Sequence, residues 1–319
     1  MPTAGQAVRT MGRRPIAAWR THLHGIAQVA LSANPWTGLL FLAALFADDW
    51  RLGVYGVLGT LVSTGAAAAL RTDWDGRLSQ GLEGYCGCLV GIATLVRLGA
   101  SGRTALLVVL AAAVCSILTA AAVRLLGPLG LPVLTAPYCL VAAVMAIAPP
   151  SNAAATPASA TAHAAATGPS MADLGHAFCD NIGQVFFLEK WYAGLIVLVG
   201  LLVSSRRAAV AAACGSAVAV LTARAIGLPA DRIAEGLYGY NAVLVAIALA
   251  ATFLAPTPWT AGYAVLAAVA SVPLTTAWTA VVQPSGGSPF TWPFVVTTWL
   301  FLAAAPAMDR PGMPYEKAK

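Results

Sequence analysis

GLYGYNAVLVAIAL, residues Gly236–Leu249, reads as the start of an apolar helix, yet it opens with glycines, tyrosines and an asparagine. A near-copy, GLEGYCGCLVGIA, occupies Gly81–Ala93. Working outward, other pairs keep the same spacing. Gly81 and Gly236 lie 155 residues apart, as do Leu89 and Leu244. Gln28 in AQVAL and Gln184 in GQVFF are 156 apart, as are Gly38 and Gly194, and Thr135 in LTAPY and Thr291 in FTWPF. Independent motifs that hold one offset along the chain define an internal repeat, with halves at 16–148 and 173–306. The rest reads as a disordered basic N-terminus (1–15), an Ala/Pro/Ser/Thr-rich linker (149–172) and a polar C-terminal tail (307–319).

Composition names the solvent. The 319 residues are 59% hydrophobic and 9% charged, against about 25% charged in a soluble domain. So apolar a chain expects a bilayer around it. The net charge of +6 does not point to nucleic acid. Arg9, Arg13, Arg14 and Arg20 cluster at the N-terminus, and Arg206 and Arg207 sit in a short loop. Basic residues in such places mark cytoplasmic segments. The expectation is a multi-pass protein of the cell (plasma) membrane with both termini cytoplasmic. The N-terminal 35 residues lack the continuous apolar core and cleavage site of a signal peptide.

The six cysteines are scattered through apolar segments and read as packing residues. Cys86-x-Cys88 has no Cys/His cluster beside it, so no metal site and no cofactor is expected. His22 and His24 read as interfacial surface, and Asp73 and Asp75 as solvated loop charges.

Each half carries about five apolar segments long enough to consider as crossings, plus one too broken to cross. In the first half the broken segment ends at Asn34-Pro35, after Gln28. The fold class is therefore an all-α integral membrane protein: two repeats of about five transmembrane helices plus a re-entrant half-helix each. An odd number of crossings makes the repeats inverted, with a solute pathway between them. Broken helices in a membrane are tolerated where they line a cavity, and their ends carry partial charge.

The matched residues are neutral: Gln28/Gln184, Tyr85/Tyr240, Leu89/Leu244, Thr135/Thr291. No carboxylate, lysine or histidine occurs in both copies, which argues against ion coupling and for passive movement of a neutral polar solute. Threonine hydroxyls donate and accept, and glutamine offers two donors and an acceptor. A single threonine more often only packs helices. A matched pair, each with proline two residues on (Pro137, Pro293), favours a pathway role, the prolines interrupting helices and freeing carbonyls.

On AQVALSANPWTG (Ala27–Gly38), GLEGYCGCLVG (Gly81–Gly91), LPVLTAPY (Leu131–Tyr138), GQVFF (Gly183–Phe187), GLYGYNAVLV (Gly236–Val245) and FTWPF (Phe290–Phe294), the chain resembles the urea transporter family over about residues 24–306. The resemblance implies ten transmembrane helices, two re-entrant half-helices and a homotrimer with one pore per subunit in the lipid bilayer. It implies channel-like, passive, bidirectional permeation of urea. It also implies site roles: Thr135 and Thr291 at the narrow centre, Gln28 and Gln184 in the first motif, and walls of Tyr85 with Leu89, Tyr240 with Leu244, and Phe301. Leu31 stands where the family has an aromatic residue, and its mate is Phe187. Cys86 replaces an asparagine. Two other readings are a permease for a short amide or ammonia and an integral membrane enzyme. The first is weakened because His22, His24, His163 and His176 occupy no matching segments. The second is weakened because Asp73 and Asp75 have no counterpart.

Overall fold

A computed structural model describes residues 18–70, 76–147, 171–308 and 310–312. The expected disordered N-terminus, His163, Asp73 and Asp75 lie outside these residues, as does the expected linker except its last two positions, which begin a helix.

The described chain is all-helical. The first half contains α1 (Ala18–Gln28), α2 (Pro35–Asp48), α3 (Trp50–Ala69), α4 (Tyr85–Leu98), α5 (Gly102–Leu126) and α6 (Ala136–Ile147). The second contains α7 (Met171–Gly183), α8 (Trp191–Ser204), α9 (Arg206–Ala225), a short α10 (Ala230–Ala234), α11 (Tyr240–Ile247), α12 (Pro258–Val282) and α13 (Trp292–Ala304). The first residues of α2, α3, α5 and α6 precede those of α8, α9, α12 and α13 by 156 positions, and α4 precedes α11 by 155.

Local sequence sets the helix starts. Asn34 accepts the Trp36 N–H at 2.9 Å, with Pro35 in the first turn. Asp49, Ser101 and Ser205 accept backbone N–H groups of α3, α5 and α9, and Thr257 with Thr260 forms a reciprocal box on α12. These oxygens satisfy donors that a helix start leaves unpaired.

α3, α5, α9 and α12 are long and apolar enough to cross a membrane, and α7 with α8 makes a fifth span if that pair, bent by 72°, is one. α2, α4, α6, α11 and α13 are shorter apolar helices. At ~1.5 Å per residue, α6 and α13, which start in the protein interior, are half-spans. The sequence count of full crossings therefore overstates the continuous ones. The apolar stretches that open at Leu131 and Pro289 begin outside a helix and become helical only at Ala136 and Trp292. On α5, Leu106, Leu110, Val114 and Ile117 form an exposed stripe, the outward apolar face expected of a helix solvated by hydrocarbon.

The opening stretch is a turn before it is a helix. Gly236 has φ +71° and Gly81 φ +77°, a region costly for any side chain. A Cβ at Gly236 would also lie 2.5 Å from the Asn181 nitrogen, and one at Gly81 2.3 Å from the Gly25 nitrogen. Both turns thus press on the backbone of α7 or α1, just upstream of Gln184 or Gln28. Helices α3 and α4 approach so closely that a Cβ on Gly59 would stand 2.0 Å from the Gly87 oxygen. Such contact is the usual route to helix association in lipid.

The halves are stitched through α2 and α8. Thr37 Oγ1, near the start of α2, donates to the Gly200 carbonyl near the end of α8 at 2.8 Å. At the opposite ends, Asp48 Oδ1 accepts the Glu189 and Lys190 N–H groups at 3.1 and 2.9 Å. These contacts set α2 and α8 antiparallel. Phe41 and Phe186 pack edge to face across the seam, centroids 5.1 Å apart.

Candidate functional site

After α1, Leu31 adopts φ 58°; after α7, Phe187 adopts φ 60°. Before α6, Leu134 has φ 49°; before α13, Phe290 has φ 44°. A positive φ on a residue with a side chain is uncommon. Here it recurs at matched places, breaking each half twice. These four residues mark the breaks.

Two cavities lie at these breaks. The first, about 440 Å³, is lined by Gln28, Leu31, Arg77, Gln80, Tyr85 and Leu134, among others. The second, about 420 Å³, is lined by Gln184, Phe187, Arg232, Tyr240, Phe290 and Thr291, among others. Between them Thr135 and Thr291, 2% and 4% exposed, join hydroxyls at 2.6 Å. Cys139 Sγ lies 3.1 Å from the Thr291 hydroxyl. Thr291 is the N-cap of α13, and Thr135 immediately precedes α6. The positive ends of two half-span helices therefore meet at the constriction.

The tyrosines hold the breaks. Tyr240 donates its hydroxyl to the Phe290 carbonyl at 2.7 Å, and Tyr85 donates to the Leu134 carbonyl. The carbonyls of Leu134 and Phe290 are thus taken up inside the protein. This revises the part assigned to the prolines: Pro137 and Pro293 stand in the first turn of α6 and α13, where proline is favoured. They start helices rather than interrupt them, and the carbonyls beside them face tyrosine hydroxyls.

Asn241, fully buried, strengthens one side. Its Oδ1 accepts the Phe294 N–H at 3.1 Å and its Nδ2 donates to Thr275 Oγ1 at 3.2 Å. Its counterpart Cys86 gives a longer thiol contact to the Leu134 carbonyl, at 3.7 Å.

Of the residues singled out in the sequence, Gln28, Leu31, Tyr85, Gln184, Phe187, Tyr240 and Thr291 line the cavities, and Thr135 joins Thr291. Gln28 donates its amide to the Gln80 carbonyl at 3.1 Å, whereas the Gln184 carbonyl accepts the Phe187 N–H and its side chain borders the second cavity. Leu89 and Leu244, each 1% exposed, are packed in the core and border neither cavity. Phe301 also borders neither cavity: it packs on Tyr263, centroids 4.8 Å apart.

Sequence reasoning missed the arginines. Arg77 and Arg232, 155 residues apart, stand at matching positions in the two cavities. Comparing the halves for arginine as well as for lysine, histidine and carboxylates finds them. Arg77 pairs with the buried Glu83 at 2.8 Å. Arg97, in the second cavity, donates to the Gly286 carbonyl at 2.8 Å. The histidines are less peripheral than their spacing suggests: His22 and His24 are half-buried, with His24 Nδ1 2.9 Å from the Ser79 carbonyl. Four cysteines are buried, but Cys179 is half-buried and Cys214 exposed. Among the described residues no cluster of three or more His, Cys, Asp or Glu has metal-binding geometry.

Apolar spans around a polar, constricted passage define an all-helical membrane protein built to pass a small solute. The sequence model described as "Urea transporter" matches residues 19–306, and the chain belongs to that family. Similar proteins include the sheep (Ovis aries) and goat (Capra hircus) proteins named Urea transporter 1, each 29% identical over 290 residues, covering 88% of this chain and 75% of the relative. The rat (Rattus norvegicus) protein of the same name is also 29% identical over 290 residues, with the same coverage. The family is one of transporters rather than enzymes.

Proposed function

We propose that this protein is a passive, bidirectional urea channel whose pathway runs from one cavity to the other through the Thr135–Thr291 contact. The observation that carries the reading is that contact: two buried hydroxyls, one from each half, closing the space between two cavities. Each hydroxyl can donate or accept, so a solute that separates them can replace their mutual bond with bonds to itself. Urea offers N–H donors and a carbonyl acceptor, so neither threonine is left unpaired while it passes. An apolar solute would leave both unpaired, at ~1–3 kcal/mol each. The positive ends of α6 and α13 favour a neutral species over ammonium at the same point. The glutamines at the cavity walls serve as further contacts, and the tyrosines hold the breaks in register.

The antiparallel α2–α8 pair and the constant offset of the elements support two repeats related by inversion, 16–148 and 173–306, with ten crossings and two re-entrant segments in all. The homotrimer and the cell-membrane location with cytoplasmic termini belong to the same reading. Native mass spectrometry from detergent tests the trimer.

Stopped-flow light scattering of proteoliposomes tests the activity. Urea flux above that of empty liposomes, with no dependence on an ion gradient, is expected. Flux equal to that of empty liposomes would refute the urea reading. Competition between urea and acetamide separates urea from a short-amide substrate.

A further inference from the structure

Tyr138 lies one turn beyond Thr135 on α6, fully buried. It borders the second cavity with Thr291 and Tyr240, and its ring packs edge to face on Phe290, centroids 5.7 Å apart. Its hydroxyl has no hydrogen-bond partner among the described residues. The contrast with Tyr85 and Tyr240 is informative, since both of those hydroxyls reach carbonyls. The residue 156 positions later is Phe294, also buried, which packs without a hydroxyl. Packing therefore does not require an oxygen at this place in the repeat, and burying one unpaired is unfavourable. A group of this kind beside a solute path finds its partner when the solute arrives.

The direction of that bond follows from the neighbours. The threonine oxygens can accept solute N–H groups, but the solute's carbonyl needs a donor. Asn241 Nδ2 is already engaged with Thr275, and the Tyr240 O–H with Phe290. The Gln184 amide in the same cavity is a further donor, and the Tyr138 O–H, buried one turn from Thr135, is uncommitted.

We propose that the Tyr138 hydroxyl is a specificity-determining contact: it donates to the carbonyl oxygen of the permeating solute on the second-cavity side of the threonine pair. The assignment rests on the urea reading above.

Tyr138→Phe, compared with wild type in proteoliposomes for urea and thiourea, tests it. Sulfur is the weaker acceptor, so thiourea flux should change less than about twofold. Urea flux should fall about five- to tenfold, the worth of one hydrogen bond, and the urea-to-thiourea ratio should narrow accordingly. The variant keeps the ring against Phe290, so its melting temperature in detergent should be no lower than wild type. A fluorinated tyrosine at position 138, a stronger donor of nearly the same size, should widen the ratio. An unchanged ratio in either variant, or an equal fall for both solutes, overturns the assignment while leaving the urea reading intact. Wild-type flux no greater than that of empty liposomes removes the urea reading, and this assignment with it.

Discussion

Substituting Thr135 and Thr291 by valine, singly and together, probes the constriction directly. Valine keeps the branched shape and removes the hydroxyl. The two hydroxyls are 2.6 Å apart and almost fully buried. If each makes one hydrogen bond to urea at the top of the barrier, each single substitution costs about 1.4 kcal/mol there, or tenfold in flux. Independent effects would multiply to about a hundredfold in the double variant. They share one bond, however, so removing the second hydroxyl also removes an unpaired group left by the first. The double variant should be slower by about twentyfold only, a coupling of about 1 kcal/mol, within the range for residues in contact. The singles should also differ in stability. Thr135→Val leaves Thr291 beside Cys139 at 3.1 Å, whereas Thr291→Val removes the partner of both Thr135 and Cys139. Thr291→Val should be the less stable, by up to ~1 kcal/mol. The assay is stopped-flow urea flux at equal protein-to-lipid ratio, with thermal melts in detergent. Full multiplication of the singles, or unchanged flux in both, would show that the hydroxyls do not act as one gate.

Three other outcomes are expected. Tyr240→Phe removes the bond that holds the Phe290 carbonyl and should lower stability by ~1 kcal/mol, seen as a lower melting temperature in detergent; Tyr85→Phe should cost at least as much, since the Cys86 thiol, 3.7 Å from the Leu134 carbonyl, is a weaker donor than the Asn241 amide, 3.5 Å from the Phe290 carbonyl. Gly236→Ala meets a positive φ and a backbone nitrogen 2.5 Å away, so it should lose several kcal/mol and fail to give a monodisperse peak on size exclusion. Thr37→Val breaks the bond to Gly200 across the seam; a loss of ~1 kcal/mol should appear in the melt with the pathway residues untouched.

The repeat made much of this legible in advance. A helix buried between helices has little periodic signature, but a motif that occurs twice can be aligned with itself. That brought out Gln28, Tyr85, Thr135 and their mates, which stand along two cavities or at the threonine contact between them. Leu89 and Leu244, both buried, show the limit of this route: recurrence shows that a position is constrained, not whether the constraint is a neighbour or a solute. The two are told apart only by knowing which side of α4 and α11 faces the cavities. Helix length was misread similarly. Apolar residues are equally at home in a helix and in the irregular approach to α6, so hydropathy alone could not place the break at Leu134, which its positive φ reveals. Arg77 and Arg232 were hidden because they sit in polar connections, where arginine draws no notice.

The meeting of α6 and α13 has a consequence for the cell that houses the protein. A membrane holds a voltage, worth ~2.3 kcal/mol per elementary charge per 100 mV, and any leak of protons or cations discharges it. Two half-helices facing each other by their positive ends, each carrying roughly half a charge, put an electrical barrier where the path is narrowest. An uncharged molecule does not register that barrier, and its distribution follows concentration alone. The passage can therefore stay available to solute in either direction while the membrane around it keeps its stored energy.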